Sequence, residues 1–461
     1  MKTYDVIIIG SGQAGSPLAR KYAAAGKKTA IIEKRLVGGT CVNDGCTPTK
    51  AMVASARAAY LAGRCGDLGV HIDSYQVDMS QIKKRKDALV LKSRSGNQES
   101  LEEDENIDLL FGEASFTGPK SVSVKLNDGG SEELQAELIF INAGTQPVIP
   151  DIKGLKEIDY LTSTSILELE SVPEHILIMG GNYIGIEFGQ MFRRFGSRIT
   201  LLERGPRIMS HEDDDVAEAV QQILKEDGIT ICNNTEAVEF HKNADGTITV
   251  TIDKDGETEQ VQCSQVLVAV GRQPQTKALN LQAAGVELDD KGYIRVNGQL
   301  QTNVPHIYAL GDIKGGPAFT HIAYNDFTIV YRNLLKGENL STEGRPVPYC
   351  MFTDPQLGRV GITEAEARKK GINIKVAVLK MENVARAVEV GETRGLMKAV
   401  VDADTKEILG VAILGEEGGE IMSVLQMAML GGITYDRVRY CVFAHPTYSE
   451  SLNNLFMQLD E

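Results

Sequence analysis

The sequence predicts an α/β fold built from two Rossmann-like nucleotide-binding domains and a C-terminal α+β domain. Three observations carry that expectation: an N-terminal βαβ unit closed by a glycine-rich turn, a second unit of the same pattern from His175, and a change of composition after about Gly344. With 461 residues, 42% of them hydrophobic, the chain has apolar material for two or three packed cores.

The first unit reads as a strand over 4–9, a glycine turn, an alanine-rich helix over 17–25 and a strand over 28–33. The second repeats it with a strand over 175–179, a turn over 180–185, a helix through about 195 and a strand over 198–203. Between them, 51–110 reads as exposed connecting helices, with alanine periodicity over 51–62 and a highly charged stretch around 83–92. Asn127-Asp128-Gly129-Gly130, Asn243-Ala244-Asp245-Gly246 and Asp253-Lys254-Asp255-Gly256 supply hairpin turns between short strands. The last part offers strands over 375–379, 396–401 and 408–414 and a helix over 420–430. Apart from the duplicated βαβ pattern there is no short-period repeat and no long low-complexity tract.

Bulk properties exclude several functions. A formal net charge of -15 without a concentrated basic patch argues against nucleic acid as a partner. The N-terminus enters an apolar strand directly, without the parts of a signal peptide, and apolar runs break before the ~18 residues a membrane span requires. A cytoplasmic protein without membrane association is therefore expected. Seven cysteines are too few for a secreted disulfide framework. Cys65, Cys232, Cys263, Cys350 and Cys441 stand singly and read as small buried hydrophobes, whereas Cys41 and Cys46 form a close pair.

Gly10-x-Gly12-x-x-Gly15 lies between strand and helix, and Glu33 ends the next strand at the distance of a ribose-binding acid. Such glycines let backbone approach a pyrophosphate at a helix N-terminus, and the carboxylate accepts from a ribose diol. The second turn, Gly180-Gly181-Asn182-Tyr183-Ile184-Gly185, places Asn182 where the fingerprint has its middle glycine. Asparagine tolerates left-handed backbone, so a nucleotide loop is still expected there. Glu203 ends the following strand and favours an unphosphorylated ribose; Arg204 and Arg207 could instead meet a 2′-phosphate or simply lie in a solvated loop. The balance tilts towards NADH over NADPH.

The run Gly38-Gly39-Thr40-Cys41-Val42-Asn43-Asp44-Gly45-Cys46-Thr47-Pro48-Thr49-Lys50 follows the first βαβ unit. An ideal helix separates residues five apart by roughly 7.5 Å along its axis. A disulfide requires Cα atoms within about 4.4 to 6.8 Å, so a bridge between these cysteines demands a distorted turn. Asn43-Asp44-Gly45 tolerates one, and Pro48 suits the first position of a helix with Thr47 as N-cap. Cys46 then precedes a helix N-terminus, whose dipole favours a thiolate. A structural disulfide or a metal pair is the competing reading of these cysteines.

The run from Gly38 to Lys50 resembles the redox-active signature of the class I pyridine-nucleotide disulfide oxidoreductases, the family of dihydrolipoamide dehydrogenase, glutathione reductase and mercuric reductase. The resemblance covers essentially the whole chain, through Ile141-Asn142-Ala143-Gly144-Thr145, Val270-Gly271-Arg272-Gln273-Pro274 and Ile307-Tyr308-Ala309-Leu310-Gly311-Asp312 in the family's order. It implies an FAD domain over 1–150 and 272–343, an NAD(P) domain over 151–271 and a dimerisation domain over 344–461. Cys46 would face the flavin as the charge-transfer thiolate, and Cys41 would be the interchange thiol. Lys50 and Glu187 look like the family's ion pair at the reactive flavin edge, although either could be an ordinary helix-surface charge. Asp312 would bond the ribityl chain. The resemblance extends FAD contacts to Gly39, Thr40, Ala114, Gly144 and His321, the last equally readable as a structural histidine. It extends nucleotide contacts to Gly180, Tyr183, Ile184, Gly185, Glu203, Val238, Gly271 and Arg272. No metal set is expected.

His445-Pro446-Thr447-Tyr448-Ser449-Glu450 resembles the family's His-Pro segment, whose histidine is acid/base for the interchange thiol of the other subunit. That implies a homodimer, with Glu450 orienting the ring; Thr447-x-x-Glu450 also reads as a helix capping box. The chain ends without the vicinal cysteines that mercuric reductases use to pass Hg(II) inward, which favours a disulfide or dithiol substrate. Asp44 and Thr47 depart from the aliphatic residues of close dihydrolipoamide dehydrogenase relatives. An acid there should oppose thiolate formation and shift the potential away from a lipoamide couple. The alternative function is a mercuric reductase-like or reactive-oxidant reductase, with hypothiocyanite as an example of such an oxidant. A bound-FAD redox sensor or subunit would share these motifs.

Overall fold

The computed structural model describes residues 1–460; Glu461, the end of the expected dimerisation domain, lies outside the described residues. The chain divides into two compact units. The first comprises Met1–Ala51, Lys83–Val148 and Gly271–Arg345, and the second Met52–Ile82, Ile149–Val270 and Pro346–Glu461.

In the first unit a parallel sheet runs in the order Ile107–Gly118, Thr29–Glu33, Lys2–Ile9, Ser131–Ile141, Ile307–Ala309. Its central strands are apolar on both faces because each face is covered. Strand alternation sends Val6 and Ile8 to the side of Leu18, Tyr22 and Phe327, and Ile7 and Ile9 to the side of Phe116, Val122 and Ile313. The two long strands change partners midway. Beyond Phe111, Ile107–Gly118 pairs antiparallel with Ser121–Leu126, which also pairs with the start of Ser131–Ile141. The hairpin at 127–130 makes that second layer.

In the second unit a parallel sheet of Gln265–Val268, His175–Met179, Arg198–Leu202 and Thr230–Cys232 carries the helices Tyr183–Phe195 and Asp214–Glu226. The expected hairpins appear as the meander Thr235–Lys242, Ile248–Lys254, Glu257–Cys263. The last part is a five-stranded antiparallel sheet ordered Tyr349–Met351, Gln356–Gly361, Ile408–Gly415, Leu396–Asp402, Ile374–Lys380. Gly418–Leu430 and Ser451–Met457 pack on it through Ile421, Leu425, Leu452 and Phe456.

The connecting region departs from expectation. It holds two helices, Cys46–Arg64 and Met79–Glu102, but 65–78 contains only the short turn Cys65–Leu68, and a strand starts at Ile107. The charged stretch is not wholly exposed, since Lys86 is buried and pairs with Asp87 at 2.5 Å. The single cysteines also differ from one another. Cys263 is buried, Cys65, Cys232 and Cys350 are half-buried and Cys441 is exposed. Among the described residues no helix is long and apolar enough to cross a membrane.

Candidate active site

The first glycine turn is closed by two side chains, Glu33 at the end of Thr29–Glu33 and Asn142 just after Ser131–Ile141. Glu33 Oε2 accepts from the Ser11 amide at 3.1 Å and its hydroxyl at 2.6 Å, while Oε1 accepts from the Arg35 amide at 2.9 Å. Asn142, buried, accepts from the Gly15 amide at 3.0 Å and donates to the Leu310 carbonyl at 2.9 Å. A Cβ on Gly15 would stand 2.0 Å from the Gly10 carbonyl oxygen, so helix and strand meet only through glycine. Gly12 and Gly39 also face each other, a Gly39 Cβ falling 2.8 Å from the Gly12 Cα.

The sulfur pair sits at a break between two helices. Gly39–Asn43 ends at Asp44, and Cys46–Arg64 begins at Cys46 itself, two residues before the expected start at Pro48. Pro48 remains in the first turn, where a missing amide costs nothing. A Cβ on Gly45 would meet the Thr40 carbonyl oxygen at 2.8 Å, so a tight approach rather than left-handed backbone requires glycine between the cysteines. Asn43 holds the break from within, donating to the carbonyls of Val37 and Gly39 at 3.0 Å each.

Cys41 and Cys46 are in hydrogen-bond contact, Cys41 half-buried and Cys46 exposed. That contact and burial push the Cys41 thiol well above its ordinary range. The Thr320 hydroxyl, 3.2 Å from Cys46 Sγ, also bonds Cys41 and opposes the shift. Thr320 opens the helix Thr320–Lys336 and carried no signal in the sequence. Asp44 differs from expectation in its effect, because its carboxylate is paired with the Arg35 guanidinium, NH1 lying 3.3 Å from Oδ1. The Arg35 pairing offsets part of the charge that this acid brings to the turn. Thr40 lies in the helix between Gly39 and Cys41, and Lys50 is half-buried in Cys46–Arg64.

Other expected cofactor contacts, for the flavin and for the nicotinamide dinucleotide, gather in the same unit. Arg272 donates to the Thr145 hydroxyl and carbonyl at 2.8 and 2.9 Å, closing the two-stranded ribbon of Thr145–Pro147 and Arg272–Pro274. The Thr145 hydroxyl also donates to Asp312 Oδ2 at 3.2 Å, and burial pushes the Asp312 carboxyl up. Gly144 and Gly271 have positive φ and open space where a Cβ would stand. Asp326, fully buried, anchors this corner through the Gly311 amide, Lys314 and Arg345 at 2.9, 3.3 and 2.7 Å. Nothing in the local sequence distinguishes Asp326 from a helix-surface acid. His321 is exposed with its ring stacked on Phe319, and the Ala114 side chain is committed to the core, leaving only its main chain for a ligand.

The second turn repeats the first with one correction. Asn182 has φ -110° and ψ 178°, so it is extended rather than left-handed. It caps the helix Tyr183–Phe195, its side chain accepting from the Tyr183 amide at 2.8 Å. Gly180 takes the positive φ, and Gly185 packs against its carbonyl as Gly15 does against Gly10. Glu203 accepts from the Gly181 and Gly205 amides at 2.9 and 2.6 Å. Arg204 is exposed, and Arg207 is drawn to Asp214 and the Glu212 carbonyl at 3.0 and 2.9 Å. Ile184 is half-buried in the same helix, and Val238 is exposed at the bulge of Thr235–Lys242. Glu187, also on this helix, is buried and accepts from the Phe352 amide at 2.7 Å.

His445 Nδ1 faces Glu450 Oε2 at 2.8 Å and Oε1 at 3.1 Å. The alternative capping box is only half formed. Thr447 Oγ1 accepts from the Glu450 amide at 3.2 Å, but the Glu450 carboxylate goes to the histidine.

These residues fit a dinucleotide at each turn. Both helices lack an acidic residue in the first turn, so no carboxylate there opposes an anion at their N-termini, and Glu33 and Glu203 keep lone pairs for a ribose diol. The half-buried Asp312 carboxyl, bonded to Thr145 next to the open space at Gly144, fits a polar chain such as that of a flavin.

A family model described as pyridine nucleotide-disulphide oxidoreductase matches residues 4–326, and one for its dimerisation domain matches 347–456. The chain is 37% identical over 462 residues to the probable pyridine nucleotide-disulfide oxidoreductase RclA of Escherichia coli, covering 99% of each. It is 35% identical over 458 residues to a mercuric reductase of Staphylococcus aureus, covering 99% of this chain and 83% of that one. A dihydrolipoyl dehydrogenase of Thermus scotoductus is 34% identical over 455 residues, covering 98% and 96%. Among solved structures, the Cu(II) complex of the HOCl-induced flavoprotein disulfide reductase RclA from Escherichia coli matches with a TM-score of 0.91 at 36% identity, covering 100% of each chain.

Proposed function

Since the chain belongs to the pyridine nucleotide-disulphide oxidoreductase family and is an FAD-dependent NAD(P)H disulfide oxidoreductase, we propose that Cys41 and Cys46 are its redox pair, His445 its acid/base and NADH its preferred reductant. The observation that carries this reading is the contact between the two thiols at a helix N-terminus, with the Thr320 hydroxyl against both. The family is one of enzymes, which removes the non-catalytic sensor as the leading alternative.

When bound, FAD would supply two-electron redox chemistry between the nicotinamide and the Cys41–Cys46 disulfide. Gly10, Gly12, Gly15, Gly39, Glu33, Ala114, Gly144, Asp312 and His321 would hold it, and Gly180, Tyr183, Ile184, Gly185, Glu203, Val238, Gly271 and Arg272 the nicotinamide dinucleotide. Lys50 and Glu187 would set the charge at the reactive edge. In the reduced protein Cys41 attacks one sulfur of a substrate disulfide, forming a mixed disulfide and expelling the other sulfur as a thiolate. The partner subunit's His445 takes the Cys41 proton and returns it to that leaving thiolate, while Glu450 stabilises the charged ring. Cys46 then attacks Cys41, expelling the second substrate thiolate, which takes a proton to leave as a thiol. Two electrons and two protons have passed to the substrate, and the Cys41–Cys46 bond is restored.

We propose a small disulfide as substrate. A second reading, a reactive sulfur-centred or halogen-derived oxidant, is favoured by the full-length likeness to a reductase named as HOCl-induced. The preference for NADH rests on Glu203 and on the diversion of Arg207 by Asp214. A homodimer is supported by the dimerisation match and by the exposed Met427, Leu430 and Val442 in that domain. A cytoplasmic location is consistent with the paired thiols.

The test is turnover with NADH and NADPH against lipoamide, glutathione disulfide, hypothiocyanite and Hg(II). Cys41→Ser and Cys46→Ser should each abolish disulfide turnover while NADH-dependent ferricyanide reduction persists. Disulfide turnover surviving either change, or a strong NADPH preference, would refute the corresponding part of the reading.

A further inference from the structure

The segment carrying His445 is tied to its unit by a chain of polar contacts. Tyr448 OH donates to Glu416 Oε2 at 2.8 Å, and Glu416 Oε1 accepts from Arg57 NH2 at 2.5 Å. Arg57 NH1 in turn bonds Asp354 Oδ1 at 2.5 Å, and Asp354 Oδ2 receives Arg194 NH1 at 2.6 Å. These residues come from separate elements. Glu416 follows the strand Ile408–Gly415, Arg57 is on Cys46–Arg64, Arg194 is on Tyr183–Phe195, and Asp354 is 5% exposed.

Tyr448 is the middle of the attachment. Its half-buried ring packs on the C-terminal core, and burial and Glu416 hold its hydroxyl above the ordinary phenol range, against the opposing charges of Arg386 and Arg57. It is therefore a neutral donor at any working pH. Three residues before Tyr448, the same segment presents His445, whose side chain is 70% exposed and held at Nδ1 by Glu450. A ring so exposed is directed mainly by the backbone that carries it.

We propose that Tyr448, Glu416 and Arg57 are positioning residues for His445, fixing the segment from which the ring reaches the sulfur chemistry. This rests on the reading of His445 as acid/base. Neither Glu416 nor Arg57 touches the ring, so they act through the placement of Tyr448 and the backbone around it. Displacing a catalytic group by about 1 Å costs up to a hundredfold in rate, which sets the scale of the effect.

The experiment compares Tyr448→Phe, Glu416→Gln and His445→Gln in the full-length holoenzyme. The readouts are kcat and KM for NADH and glutathione disulfide, or whichever disulfide turns over, the pH profile of that turnover, and ferricyanide reduction as a check of fold and flavin. Tyr448→Phe and Glu416→Gln should each lower disulfide kcat by about five- to fiftyfold and move the pH midpoint, with the KM for NADH and ferricyanide reduction retained. Wild-type kcat and pH profile in both variants, alongside a strongly impaired His445→Gln, would overturn the positioning role while sparing the assignment of His445. Equal loss of ferricyanide reduction and disulfide turnover in both would reduce the chain of contacts to a folding role. Full disulfide turnover in His445→Gln would remove the premise itself.

Discussion

Cys41 holds its proton because the alternative is a buried negative charge beside a second sulfur. The sign of the consequence is definite. A raised thiol loses its proton only as pH climbs beyond the ordinary thiol value of about 8.5, so the reduced protein should react slowly at Cys41 below that pH and faster above it. Cys46→Ser removes the neighbouring thiol and should bring the rise to lower pH, speeding Cys41 alkylation at pH 7. Peptide mass spectrometry after timed iodoacetamide treatment measures this; identical profiles in the two proteins would refute it. Arg35 shows how the surroundings change what a residue means. Asp44 between the cysteines reads as an opponent of thiolate, yet its pairing with Arg35 offsets part of that charge.

The elements around the first turn meet through one amide side chain. Asn142 bridges the start of the helix Gly15–Ala24, 127 positions before it, and the carbonyl of Leu310, 168 positions after it. Asn142→Ala would leave a buried amide and a buried carbonyl without these partners, costing about 2 to 4 kcal/mol. Denaturant unfolding should report that loss, and the purified protein should retain less FAD; unchanged stability and flavin content would show that water replaces the side chain. The second turn reaches the same architecture by another route, because Asn182 serves as a helix cap while Gly180 supplies the unusual backbone. A residue type suited to two local tasks cannot announce which one its neighbours require.

For the whole molecule, the proposed service of His445 to the sulfurs of the partner would make association and turnover one property. Met427, 66% exposed, and Val442, 95% exposed, lie in the part that matches a dimerisation domain. Placing charge on both with Met427→Glu and Val442→Glu should yield a monomer by size-exclusion chromatography. Its disulfide turnover should fall on the order of a hundredfold through loss of the acid/base, with ferricyanide reduction retained. A stable monomer that still reduces disulfides at the wild-type rate would contradict the shared site.

The sequence by itself determined the two βαβ units, their acids Glu33 and Glu203, the turn-forming hairpins and the close cysteine pair. Those features depend on local periodicity and on residues near one another in the chain, which is information a sequence carries openly. Tertiary structure alone decided that Thr320 touches both sulfurs, that Arg35 compensates Asp44, that Asp326 anchors the Asp312 corner and that Tyr448 hangs on Glu416 and Arg57. Each of those partners is an ordinary polar residue whose role appears only when distant segments fold together. A hydroxyl or carboxylate has many potential partners in the chain, and burial selects among them by the cost of leaving any one unpaired.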